Sequence, residues 1–216
     1  MPAPSTAPGQ CQLCGQPVDK SRLSSHLSKC LIRQPAEASQ PSKAYVIEIK
    51  AMPYWIWVMA RADAELADLD AFLREIWLEC CGHLSAFTIE GEQYGSEGFD
   101  EDEDMPGMDV ALADVLSLRQ KFGYDYDFGS STSLELKVIS EQETRQSAPV
   151  LLLARNDAPE IVCQECDLPA TVLCSACIWS GEGALCQSCA PQHDCDEALL
   201  LPVVNSPRCG VCAYTG

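Results

Sequence analysis

Cysteine is the residue that most constrains what this chain can fold into. The sequence has 14 cysteines in 216 residues, and ten of them form five Cys-x-x-Cys pairs. The first ten residues carry no basic residue and no apolar run, so we expect no secretory signal and a cytoplasmic protein. Cytoplasmic thiols stay reduced, and close cysteine pairs in such a compartment indicate metal binding rather than disulfides.

The N-terminal pair predicts a zinc finger. A Cys-x-x-Cys pair is followed after 11 residues by His-x-x-x-Cys. The histidine and the last cysteine are four residues apart and therefore share one face of a helix. Three thiolates and one imidazole at this spacing suit a tetrahedral zinc site. The expected ligands are Cys11, Cys14, His26 and Cys30.

A second group of close pairs lies near the C-terminus and predicts two more zinc ions, three in all. Two wirings are open: interleaved wiring joins the first pair to the third and the second to the fourth, whereas sequential wiring joins neighbouring pairs. We favour interleaving because it ties a short segment into one unit. The segment has few large apolar residues, so metal must supply its folding energy. The expected ligands are Cys163, Cys166, Cys174, Cys177, Cys186, Cys189, His193 and Cys195.

The last Cys-x-x-Cys pair, Cys209 and Cys212, has two interpretations. The two residues are surplus thiols, or they replace His193 and Cys195 as metal ligands. We expect them to be unbound, with three ions in the chain.

Cys80 and Cys81 stand beside His83 at the end of a predicted helix. We interpret them as packed thiols. A thiol nucleophile assisted by His83 is the alternative, which we disfavour because no nearby cationic group would stabilise a reactive thiolate.

The segment between the two cysteine-rich ends predicts an α+β body with an antiparallel-rich sheet. Residues 44–49 and 54–60 are β-rich runs that suggest a hairpin. Apolar residues at helical spacing predict a helix from about residue 66 to 80, with Asp63 as N-cap and Gly82 as stop. A strand at 83–90, an acidic loop at 92–108 and a short helix opening at Asp109 and ended by Gly123 follow.

The rest of the body predicts three more strands. Tyr124, Tyr126 and Phe128 alternate with acidic residues, and the apolar residues of 134–138 alternate with Glu135 and Lys137. These two runs suggest a hairpin with its aromatic side chains facing inward. Residues 150–153 form a last apolar strand.

Composition shifts divide the chain into six segments. We expect a flexible N-terminus at 1–10, a zinc finger at 11–33 with Leu23 and Leu27 as its small core, and a linker at 34–43. The α+β body then covers 44–157, the two-zinc module 158–200 and a C-terminal tail 201–216. No apolar run is long enough to span a bilayer, so no membrane partner is expected.

The charge distribution bears on possible partners. The net charge is −18, yet residues 1–43 carry five basic and two acidic residues. Most of such a chain repels phosphate backbones, and only the first finger can meet nucleic acid favourably. The candidate contacts are Lys20, Arg22 and Lys29.

The body resembles the plasmid pRiA4b open-reading-frame-three-like family. The resemblance is carried by residues 44–50, 69–78, 81–87 and 122–129, which with the stretches between them span about half of the chain. It implies a compact α+β domain and a link to plasmids or transposable elements. It implies no established biochemical activity.

The two cysteine-rich ends resemble other families. The spacing of Cys11, Cys14, His26 and Cys30 is similar to that of ubiquitin-binding fingers in eukaryotic DNA-damage ligases, although Ser28 stands where those fingers carry an aspartate that meets ubiquitin. Residues 163–195 are similar to B-box-type fingers, which implies contact with protein.

The sequence contains no motif of an active site. It has no Gly-x-Ser-x-Gly elbow and no glycine-rich phosphate loop, and its predicted metal sites are saturated by protein ligands. Asp125 and Asp127 are best interpreted as a solvated strand face rather than as a cation site. We therefore expect a non-enzymatic zinc-binding adaptor for a protein partner, with a nucleic-acid-binding accessory protein as the alternative.

Overall fold

The computed structural model describes residues 8–99 and 105–216, which build a nine-stranded sheet, a three-stranded sheet and three short α-helices. The predicted α+β class is confirmed. Residues 1–7 of the predicted flexible N-terminus and the acidic run 100–104 lie outside the described residues. The helices are α1 Leu23–Leu31, α2 Leu66–Leu73 and α3 Leu112–Val115. The strands are β1 Gly9–Cys11, β2 Pro17–Val18, β3 Ser42–Ala51, β4 Tyr54–Arg61, β5 Ser85–Ile89, β6 Glu92–Gly95, β7 Lys121–Tyr126, β8 Thr132–Thr144, β9 Val150–Asn156, β10 Val172–Cys174, β11 Ala184–Leu185 and β12 Leu200–Pro202.

The centre of the large sheet is buried on both faces. Its strand order is β2-β1-β9-β4-β3-β8-β7-β5-β6, and its neighbouring strands pair antiparallel. Successive side chains of a strand point to opposite faces. Ile47 and Ile49 accordingly pack with α2 in one core, whereas Val46 on the same strand packs with α1 in a second core. The predicted hairpin of β3 and β4 is confirmed.

The central helix begins and ends differently from the prediction. Asp63 is not its N-cap, because this carboxylate pairs with Arg61. Glu65 caps α2 instead, in a reciprocal capping box with Asp68. The α-helix ends at Leu73, and one π-helical turn, Arg74–Leu78, continues it.

Three other local predictions need correction. The acidic loop predicted at 92–108 contains β6, which pairs with β5 as a hairpin. Gly123 does not end a helix but lies inside β7, because α3 already ends at Val115. Phe128 is 51% exposed, since the strand ends at Tyr126 and the chain turns before the alternation reaches it.

The first finger is continuous with the body. β1 pairs with β9, so Gly9 and Gln10 belong to a sheet and not to a flexible terminus. Leu23 and Leu27 pack in the core that includes Trp55 and Trp57. The apolar sheet face thus supplies most of the core that the sequence assigns to the finger alone.

The predicted linker at 34–43 also contacts the body. Its last residues, Ser42 and Lys43, form the start of β3. The backbone N–H groups of Glu37 and Ala38 both donate to the carbonyl of Arg145. Main-chain hydrogen bonds therefore hold part of this polar segment against the sheet.

The C-terminal module is built on the sheet β11-β10-β12. The chain after β12, residues 203–216, returns to the body and is here named the C-terminal segment. The Ser206 hydroxyl donates to the Trp77 carbonyl at 2.6 Å, and Arg208 is fully buried. Across the described ranges, no helix combines the length and the apolar character that a membrane crossing requires.

Candidate metal centres

Cysteine and histidine side chains form four clusters. Within each cluster, all ligand atoms lie within 4.8 Å of one another. Together they contain all three histidines and thirteen of the fourteen cysteines, and each of the fourteen cysteines is free of disulfides. The clusters are the N-terminal cluster (Cys11, Cys14, His26, Cys30), the all-cysteine cluster (Cys163, Cys166, Cys186, Cys189), the mixed C-terminal cluster (Cys174, Cys177, His193, Cys195) and the bridging cluster (Cys80, Cys81, His83, Cys212).

The N-terminal cluster joins a knuckle to a helix. Cys11 ends β1, and its N–H donates to the Gln16 carbonyl while its own carbonyl accepts from Gly15. Gly15 has a φ of 71°, a left-handed conformation that glycine adopts without strain. The turn brings Cys14 to α1, where its Sγ lies 3.4 Å from Nε2 of His26.

The two clusters of the C-terminal module have the interleaved grouping. The first close pair lies with the third, and the second lies with the fourth. Cys166 Sγ is 3.5 Å from Cys186 Sγ, and Cys177 Sγ is 3.5 Å from His193 Nε2. The ligand pairs of the two clusters alternate along the chain. Each cluster therefore closes a loop of chain that contains one ligand pair of the other cluster.

The bridging cluster corrects two interpretations of the sequence. Cys212 does not replace a ligand of the C-terminal module, because His193 and Cys195 both lie in the mixed C-terminal cluster. It lies instead with Cys81, 131 positions away in sequence, at an Sγ–Sγ distance of 3.7 Å. Cys81 is exposed and lies among ligand-type atoms, so it is not a packed thiol.

Cys209 lies outside all four clusters. Its side chain is buried, and its Sγ accepts a hydrogen bond from the Val204 N–H at 3.2 Å. The two residues of the last Cys-x-x-Cys pair therefore differ: Cys209 packs inward, whereas Cys212 belongs to the bridging cluster.

The spacing of the ligand atoms fits tetrahedral zinc. Zn–S bonds of about 2.3 Å and Zn–N bonds of about 2.0 Å place tetrahedral ligand atoms about 3.5 to 3.8 Å apart. Close ligand contacts in the clusters run from 3.3 Å, between Cys30 and His26, to 3.7 Å, between Cys81 and Cys212. Ligand sets of thiolates with at most one imidazole are those of structural zinc sites.

The thiols of each cluster affect one another's protonation. The Ser188 hydroxyl lowers the pKa of the Cys186 thiol to about 6, and the His83 ring lowers the pKa of Cys212 to about 7. The Cys195 thiol, by contrast, raises the pKa of Cys177 to about 12. Several thiolates this close repel one another, and a bound dication stabilises all of them together.

The remaining candidate residues have other surroundings. Lys20 pairs with Glu48 at 2.9 Å and lies over the Trp55 ring, whereas Arg22 and Lys29 are exposed. Tyr124 is buried and donates to the Asp70 carboxylate at 2.6 Å.

Asp125 and Asp127 do not form a solvated strand face. Asp125 accepts from the Ser133 hydroxyl, and Asp127 is buried beside Arg208. A cation site at these two residues would also draw on the acidic run 100–104, which lies outside the described residues.

The fold and the sites define the class of this chain, an α+β domain with cysteine-rich ends. The family model for plasmid pRiA4b ORF-3-like proteins matches residues 45–166, more than half of the chain. The chain therefore belongs to this family. None of the curated proteins matches the sequence. A crystal structure of a protein of unknown function from Methanosarcina mazei Go1 is similar over 52% of this chain and 67% of that one, with 17% identity and a TM-score of 0.44.

Proposed function

We propose that this chain is a non-enzymatic, zinc-bound adaptor that contacts a protein partner. Its N-terminal cluster and the two clusters of its C-terminal module would hold three zinc ions. Each of these clusters offers four protein ligands, so a bound zinc ion keeps no open position for a water or a substrate. Such ions fix the shape of the polypeptide, which supports binding rather than catalysis.

The observation that carries this proposal is the exposure of Trp179 on the C-terminal module. This side chain is 65% exposed although it follows the cluster ligand Cys177 by only two residues. Among the described residues, half of the exposed large apolar side chains lie in this module: Val162, Leu168, Trp179 and Leu199. Metal binding in place of a large core leaves such residues free for a partner, and tryptophan is enriched at the centres of protein interfaces.

Electrostatics favour a protein partner over nucleic acid. The chain carries a net charge of −18, and Lys20 of the basic finger is neutralised by Glu48. Arg22 and Lys29 remain exposed and support the alternative function. Binding that depended on them would weaken steeply with salt, because it would release counterions from the phosphates.

The first experiment is affinity capture with the full chain in its metal-loaded form. We compare the wild type with Trp179→Ala and with the matched control Leu118→Ala, because Leu118 is 50% exposed in the body. A protein captured by the wild type and the control, but at least tenfold less by Trp179→Ala, supports the adaptor. Direct binding of that protein is then measured by calorimetry with both variants. Equal affinity of the two variants contradicts the proposal.

The second experiment separates the two functions. Fluorescence anisotropy is measured with labelled duplex DNA and single-stranded RNA at low and physiological salt. We expect no binding at physiological salt. Salt-sensitive binding that is lost in Arg22→Ala/Lys29→Ala and kept in Lys43→Ala would instead establish the nucleic-acid function, since Lys43 pairs with Glu141.

Two properties accompany the proposed function. Thirteen cysteines in metal-ligand clusters need a reducing compartment, so we propose a cytoplasmic location. The family is named after a plasmid reading frame, and we propose that the chain serves a plasmid or another mobile element.

A further inference from the structure

The bridging cluster brings together residues from two distant parts of the chain. Cys80, Cys81 and His83 lie between the π-helical turn and β5, and Cys212 lies in the C-terminal segment. No local spacing rule groups them, because Cys212 is 129 positions from His83. The fold alone produces this cluster.

The cluster has the ligand number and the spacing of a closed zinc site. It offers three thiols and one imidazole, the same donor set as the N-terminal cluster. Cys212 Sγ lies 3.5 Å from His83 Nε2 and 3.7 Å from Cys81 Sγ. A tetrahedral zinc ion bound by sulfur and nitrogen requires about these separations.

The backbone turns sharply in both stretches of chain that supply the ligands, with a positive φ at Gly82 and at Cys212. Gly82 has a φ of 72°, which turns the chain between Cys81 and His83, and its N–H donates to the Glu79 carboxylate at 2.6 Å. Cys212 itself has a φ of 55°, a conformation that is uncommon for a residue with a side chain.

A buried arginine donates a hydrogen bond to one thiol of the cluster. Arg208 Nη2 donates to Cys80 Sγ at 3.5 Å, and the guanidinium also stacks over the ring of Tyr126. Hydrogen bonds from outer groups orient and tune metal ligands, and ligand sulfur atoms accept them as well. A zinc ion with three thiolates carries a net charge of −1, which this guanidinium faces.

Among the described residues, Asp127 is the acidic group nearest to the imidazole. Its Oδ2 lies 3.6 Å from His83 Nε2, beyond hydrogen-bond length, and accepts instead from Arg208 at 2.6 Å. The imidazole nitrogen is therefore available as a ligand.

We propose that Cys80, Cys81, His83 and Cys212 bind a fourth zinc ion, which fastens the C-terminal segment to the body. The ion displaces the thiol protons and joins positions 131 residues apart. This clamp would hold the end of the chain, after the C-terminal module, on the family domain. It does not depend on the adaptor function, since the three other clusters are complete without it.

The test is a zinc count on the purified full chain by native mass spectrometry and elemental analysis. We expect four ions in the wild type and three in Cys81→Ser/Cys212→Ser, whose altered side chains are both exposed and should leave folding intact. The matched control is Cys209→Ser, the cysteine outside the clusters, which should keep four. Hydrogen exchange should rise in residues 203–216 of the double variant only.

Thiol alkylation without reductant separates the competing states. In the zinc-bound wild type, Cys81 and Cys212 should react only after a chelator is added. Three ions in the wild type with both thiols freely alkylated, or a disulfide between them, would overturn the fourth site. Either result would leave the adaptor proposal standing, because that proposal needs only the other three ions.

Discussion

Arg208 Nη2 lies 2.6 Å from Asp127 Oδ2, and this pair joins the C-terminal segment to the turn between β7 and β8. The arginine is fully buried, and its other terminal nitrogen donates to the Ser130 carbonyl and the Thr132 hydroxyl. The segment after the C-terminal module is thus anchored by a charge inside the body and is not a free tail.

Loss of this arginine should destabilise the protein strongly. Arg208→Ala leaves Asp127 buried without its cation, and breaking one side of a buried pair costs about 3 to 5 kcal/mol. The free energy of unfolding, measured by urea titration, should fall by about that amount. Arg22→Ala, an exposed arginine, is the control and should change it by less than about 0.5 kcal/mol. A loss below about 1 kcal/mol in Arg208→Ala would show that the pair does not anchor the segment.

The same pair predicts a pH dependence of stability. Burial alone would raise the pKa of Asp127, but hydrogen bonds from Arg208 and from the N–H groups of Ser130 and Gly129 lower it below the usual value. A depressed carboxylate pKa stabilises the fold above the unfolded-state value of about 3.9, and this contribution disappears as the pH falls through the folded pKa.

Unfolding free energies of the wild type and Asp127→Asn should therefore converge below about pH 4. At pH 7 the wild type should be more stable. A difference between the two proteins that stays constant from about pH 7 to about pH 3 would refute this role of the carboxylate.

The first finger should not unfold independently of the body. Leu27 of α1 packs in the same core as Trp55 and Trp57 of β4. Leu27→Ala should lower the free energy of unfolding by about 2 to 5 kcal/mol, and the tryptophan fluorescence should report one transition. Ser24→Ala, on the exposed side of α1, should have little effect. Two separate transitions, with the tryptophan signal unchanged in the first, would mean that the finger is autonomous.

Removal of metal should affect the C-terminal module and the large sheet differently. Leu173, Leu185 and Leu201 are the leucines buried in the C-terminal module, too few to hold its fold without zinc. The nine-stranded sheet buries large side chains on both faces, including Trp55 and Trp77.

A strong chelator should therefore abolish hydrogen-exchange protection in residues 163–202 while β3, β4 and β8 stay protected. Re-addition of zinc should restore the protection. An unchanged C-terminal module after complete metal removal would contradict a structural role for the ions.

Sequence spacing predicted the clusters whose ligands are close along the chain, and it missed the one whose ligands are not. A Cys-x-x-Cys pair limits the distance between its thiols, so spacing is informative for the N-terminal cluster and the two clusters of the C-terminal module. Nothing local relates Cys212 to Cys81. The sequence did contain one signal of a further site, namely ligand-type residues that the predicted sites did not use. They are a Cys-Cys-x-His run and the last cysteine pair.

The fold was predictable where the apolar pattern is strong. It was less predictable where a single side-chain contact decides where an element begins or ends. The hairpin of β3 and β4 follows from two β-rich runs. The start of α2 depends on a choice between two nearby acidic residues. Asp63 pairs with Arg61, so the reciprocal bonds of Glu65 and Asp68 begin the helix. Phe128 likewise leaves the core because its strand ends two residues earlier.

Zinc X-ray absorption on the full chain can decide whether the cysteines and histidines bind zinc in saturated, structural sites. The four clusters predict an average of about three sulfur ligands near 2.3 Å and about one nitrogen near 2.0 Å per zinc, with no oxygen ligand. Addition of an anion that competes for open zinc positions should leave the spectrum unchanged. A water-type oxygen bound to the zinc, or fewer than about three sulfurs per ion, would be incompatible with sites saturated by cysteine and histidine.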